Sequence, residues 1–102
     1  MSQIEINSPA YLRLSVQRSL LGNVTVNLAG LRAELGGMVI LIDAYFFNAP
    51  SEEDRELVDV AASEVIADYP DGYTVETHLG VLSEIDVKGF TWDFLRSEAF
   101  GG

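Results

Sequence analysis

The chain has no cysteine, and its 102 residues include one histidine and one tryptophan. Without cysteine there can be no disulfide framework, no thiol chemistry and no zinc site built on thiolates, which fits a reducing compartment, so a cytoplasmic location is expected. Long apolar runs are missing too. The longest, Met38 to Ile42, is far too short to span a bilayer. Residues 1–7 hold no basic stretch and carry Glu5, so neither secretion nor membrane insertion is expected. Basic residues are scarce, with six Lys and Arg against sixteen Asp and Glu and a formal charge of -10. Such a charge repels phosphate backbones and anionic lipid, which argues against direct nucleic-acid or membrane binding, and it attracts a basic protein partner.

What is present suffices for one hydrophobic core. Apolar residues make up 48% of the chain, and the length suits a single domain over 1–102, with 1–8 and 97–102 expected to fray. The charge is unevenly placed. Residues 1–50 are neutral by formal count, with Glu5, Glu34 and Asp43 against Arg13, Arg18 and Arg32, so the whole excess of acid follows Pro50.

Ser8-Pro9 offers a helix cap followed by proline at the first helical position, and Leu12, Val16 and Leu20 recur on one helix face until Gly22, predicting a helix over about 9–21. From Val24 the period becomes two: Val24, Val26 and Leu28 share a face, and after Gly30 the apolar positions return out of phase, as a bulge near Ala29-Gly30 would require. Gly36-Gly37 reads as a two-residue hairpin turn, which pairs Leu35 with Met38 and places Asp43 diagonally across from Arg32. The second strand then has an inner face of Met38, Ile40, Ile42, Ala44 and Phe46. Its outer face, Val39, Leu41, Asp43, Tyr45 and Phe47, is too apolar to be left to solvent.

Ser51-Glu52-Glu53-Asp54 has the form of a capping box, and Leu57, Ala61, Val65 and Tyr69 with Val58 and Ala62 form the apolar stripe of a second helix that Tyr69-Pro70-Asp71-Gly72 ends. Tyr73 to Leu82 alternates as a half-buried strand, Glu84 to Gly89 is a polar connection, and Phe90 to Arg96 reads as a fourth strand. The fold class is therefore α+β, in the order α-β-β-α-β-β. Two helices are expected on one face of a four-stranded, mainly antiparallel sheet.

Chemistry finds little to stand on. His78 has no neighbouring nucleophile motif, and a solvent-facing strand histidine is the simpler reading. Gly36-Gly37 lies in no phosphate-binding pattern, and the acidic turn at Glu52-Glu53-Asp54 suits a helix N-terminus better than a metal ion. Asp43 and Glu76 could approach each other as an acid/base pair, though nothing in the spacing demands it. No enzyme activity, cofactor or metal is expected. The feature left over is the helix itself, because residues 51–71 carry eight acids against Arg55 alone. A solvated face is the bland explanation. Against it stands the lack of basic residues at i+4 and a strand face bearing Tyr45 and Phe47, since steering charge and aromatic anchors together make an interface.

The segments Ser19 to Val24, Ser51 to Glu56 and Ser63 to Pro70 resemble a family of small acidic bacterial proteins, the immunity proteins of polymorphic and contact-dependent toxin systems. The likeness extends in element order over about residues 12–96, and it rests on packing and capping motifs. Phe46 to Pro50 and Glu84 to Gly89 depart from it. What the resemblance implies is a protein that binds and neutralises a cognate toxin domain, often a basic nuclease. No contact residue carries over from the resemblance; the charge asymmetry beside the aromatic strand face is what makes Glu52, Glu53, Glu56, Asp59 and Glu64 the expected steering residues and Asp43, Tyr45, Phe47 and Glu76 the candidate contacts. The competing reading is a homodimeric adaptor that buries Val39, Leu41, Tyr45 and Phe47 against its symmetry mate, leaving the acids as a solubility device.

Overall fold

The computed structural model describes residues 8–22, 24–82 and 94–95. Helix α1 spans Pro9–Ser19, with the Ser8 hydroxyl accepting the Tyr11 amide, so the expected cap and N-terminal proline are both in place. It ends two residues before the expected stop, and the chain reverses through Gly22 at φ 84°, a conformation that favours glycine. Strand β1 is Leu28–Gly36, β2 is Val39–Phe46, α2 is Glu52–Ala67 and β3 is Thr74–Val81. A two-residue β4, Phe94–Leu95, pairs with β1.

Both helices lie on one face of the sheet. Leu12, Val16 and Leu20 of α1 and its exit join Val58, Ala62, Val65 and Tyr69 of α2 and its end in one buried cluster with Leu28, Leu31, Ile40, Ile42, Ala44 and Phe46. The α+β class therefore holds, and β2 alternates buried and half-buried residues as its period of two requires.

Four details differ from the expectation. First, β1 starts at Leu28 rather than Val24; Thr25 to Asn27 form a turn in which Val26 is 91% exposed. The cause is Asn27, whose side chain bonds to the backbone of Asn48 and so ends the ladder early (Asn48 N–H to Oδ1 3.0 Å, Nδ2 to Asn48 C=O 3.1 Å). Second, the hairpin is slid by two residues. Gly36 pairs with Val39 and Leu35 with Ile40, so the turn is Gly37-Met38, and only its first residue has positive φ, 62°. A slip of two leaves every side chain on the same face, which is why the hydrophobic pattern cannot detect it. Arg32 and Asp43 become direct partners rather than diagonal ones. The expected bulge is present, the register shifting between Leu28 and Gly30.

Third, the sheet order is β3-β2-β1-β4, and β3 runs parallel to β2, from Val39↔Thr74 to Phe46↔Val81. Strand β2, helix α2 and strand β3 thus form a β-α-β unit, because a helix between two adjacent strands returns the chain to the end where it began. Fourth, the sheet has three full strands and the short β4, not four full strands. The rest of the expected fourth strand, Phe90 to Arg96, and the Glu84 to Gly89 connection lie outside the described residues.

Candidate functional site

The acids of α2 separate into two kinds. Asp54 is 4% exposed and belongs to the fold. Its carboxylate accepts the Ser51 amide and the Asn27 side-chain amide, each at 2.9 Å, while the Ser51 hydroxyl accepts the Asp54 amide at 3.1 Å, completing the capping box. Burial alone would push this carboxyl's pKa up; hydrogen bonds from Asn27 and Ser51 outweigh it and hold the pKa below the usual aspartate value. Asp68 is likewise committed. It accepts the Ser15 hydroxyl at 2.5 Å and pairs with Arg18, raising the guanidinium's pKa, and its backbone carbonyl accepts the Tyr11 hydroxyl. These contacts clasp α1 to the end of α2.

Glu52, Glu53, Glu56, Asp59 and Glu64 are all exposed on the side of α2 turned away from the core. Their helical positions form one continuous outward surface. At its centre sits Val60, 44% exposed, one turn from both Glu56 and Glu64. Sequence reasoning passed over Val60, although an apolar β-branched residue off the buried stripe and between acids is itself a signal. Glu64 also contributes charge that raises the Arg18 pKa.

The second set of candidates lies on the far face of the sheet. Asp43 is half-buried and receives the Arg32 Nε–H at 3.0 Å. By register its other neighbour is His78, and Glu76 lies beside Leu41, so Asp43 and Glu76 are diagonal rather than direct neighbours. Glu76 instead stands 3.9 Å from His78 on the same strand, both exposed to solvent. Tyr45 lies over Gly80, where an added Cβ would come within 3.1 Å of the ring, and Phe47 falls just past β2 with its amide bound to the Asn27 carbonyl at 3.0 Å. Val39, Leu41, Asp43, Tyr45 and Phe47 are all half-buried. Because α2 covers the opposite face of the sheet, its acids and this set look in opposite directions. The candidate steering charges and the candidate contacts do not form one patch.

Among the described residues no group of three His, Asp or Glu side chains could hold a metal ion, and no helix is long and apolar enough to cross a membrane. What the site offers is a charged, convex helix face suited to another macromolecule.

Comparison with known proteins agrees with a binding role. The class it points to is that of immunity proteins. The chain belongs to the MafI2 immunity protein family, whose model matches residues 9–98. No curated protein matches the chain.

Proposed function

We propose that this immunity protein neutralises a basic toxin domain by presenting the outward face of α2 to it. Glu52, Glu53, Glu56, Asp59 and Glu64 steer the approach, and Val60 is the apolar anchor among them. The observation that carries the reading is the division of labour along α2: Asp54 and Asp68 are tied into the fold, whereas the five acids are exposed, Glu64 near Arg18 and the other four with only Arg55 as a base on the helix. Exposed charge of one sign accelerates encounter with its opposite, and an apolar residue within it supplies contact once water is expelled.

The partner is then a domain with a Lys/Arg-rich surface, as a nuclease has, and the chain acts by occupying it in the cytoplasm rather than by turnover. Asp43, Tyr45, Phe47 and Glu76 are assigned a lesser part, since they face away from α2. The test is stopped-flow association with a cognate toxin domain. The rate constant should fall steeply as salt rises, because exposed charges are screened beyond roughly 10 Å at 0.1 M ionic strength. Salt-independent association would sink the proposal.

A further inference from the structure

Strand β3 forms one edge of the sheet, and among the described residues nothing pairs with its outer side. The Thr74 amide donates to the Met38 carbonyl at 2.9 Å, and the parallel register with β2 runs without a bulge from Thr74 to Val81. Alternation along the strand therefore turns the backbone groups of Thr74, Glu76 and His78 toward β2, and those of Val75, Thr77 and Leu79 outward. None of these last three has a further hydrogen bond among the described residues. Nor is the edge blunted in the usual ways. Thr74–Val81 contains no proline and no lysine.

The sequence of this edge is complementary to itself. When a second β3 is laid antiparallel with the two-fold axis at Thr77, Thr77 faces Thr77 and Val75 faces Leu79, all outward-pointing residues that exchange both backbone bonds. In the same register Glu76 of each copy faces His78 of the other, at the positions where side chains come closest. Moving the axis to Glu76 would set carboxylate against carboxylate. Moving it to His78 would set histidine against histidine and Glu76 against Gly80. Of these three axes only the one at Thr77 sets Glu76 against His78.

We infer that two copies of this chain associate through β3, joining their sheets edge to edge about Thr77. The two-fold of such a pairing stands perpendicular to the sheet, so both helix layers lie on one side, and the two α2 helices, which pack over β3, are brought toward each other. This contact differs from burial of Val39, Leu41, Tyr45 and Phe47, and it does not rest on the toxin-binding reading.

The experiment is sedimentation equilibrium of the full chain over a wide concentration range, with amide hydrogen exchange measured at both extremes. A dimer is expected in which the amides of Val75, Thr77 and Leu79 become protected only at high concentration. His78→Glu, an exposed change that leaves the core intact, should weaken self-association about tenfold by setting like charges opposite each other. Adding Glu76→Lys should restore it. The inference is overturned by a chain that stays monomeric at every concentration, by a dimer in which those three amides exchange freely, or by protection that appears only when a toxin domain is added.

Discussion

The outward face of α2 and the far face of the sheet carry similar residue types and have been put to different uses. On the sheet, Asp43 is half-buried against Arg32, and Tyr45 is laid over Gly80. On α2, five acids and Val60 are exposed with only Arg55 among them to balance the charge. Asp43 and Tyr45 on the sheet face are thus packed against their neighbours, whereas Glu52, Glu53, Glu56 and Asp59 on the helix stand in solvent. Counting acids does not reveal a partner surface. Subtracting those the fold consumes narrows the candidates.

The largest expected effect tests that contrast directly. Reversing Glu53, Glu56 and Asp59 to Lys should slow toxin association on the order of 100-fold with little change in thermal stability, while Glu76→Lys should change it only slightly; stopped-flow rates across a salt series decide the matter. If Glu76→Lys proved the more damaging, the two faces would have to exchange roles.

Next comes Asp54→Ala, which removes a buried carboxylate that caps α2 and accepts from Asn27 and Ser51 and should cost about 2 kcal/mol in urea unfolding, against about 0.5 kcal/mol or less for Glu56→Ala. The same carboxylate sets an acid limit. Its folded pKa is below the unfolded value of about 3.9, so its contribution is present above that pH and is lost as pH falls through the folded pKa. Asp54→Asn should flatten stability on the acid side. On the sheet face, the Arg32–Asp43 coupling from a double-mutant cycle should be about 0.5–1 kcal/mol, as befits a partly screened pair.

The smallest effect has an unusual sign. Tyr69 is buried, packs edge-on to Tyr11 with ring centroids 5.2 Å apart, and its hydroxyl has no partner among the described residues. Tyr69→Phe should be neutral or stabilising by up to about 1 kcal/mol. Burial, with the neighbouring Tyr11 and Tyr73, raises this phenol's pKa to about 12. Its neutral form is favoured in the fold, so that contribution is complete below the unfolded value near 10 and is lost as pH climbs toward 12. Alkaline unfolding monitored by circular dichroism should shift upward in Tyr69→Phe.

Much of this architecture can be read from local pattern. Ser8-Pro9 and Ser51 to Asp54 announce both helices because caps are chemistry of adjacent residues, and the period of two marks Ile40, Ile42, Ala44 and Phe46 as the buried face of β2. Long-range choices are not local. The parallel course of β3 depends on where α2 delivers the chain, and the two-residue slip of the hairpin preserves every face. At the candidate site, the exposed acids of α2 follow from helix geometry. Asp54's place in the capping box is local, but its bond from Asn27 and the ties of Asp68 to Ser15 and Arg18 involve partners distant in sequence.

Asn27 reaches the end of β2 through Asn48 and the first turn of α2 through Asp54. One amide therefore joins the sheet to the beginning of the charged helix, and the direction in which that helix presents its acids is set before any partner arrives. A surface held in this way loses little freedom on docking, so more of each contact's favourable energy remains as affinity. In that sense residue 27, which touches no partner in the proposed complex, governs the entropy of forming it.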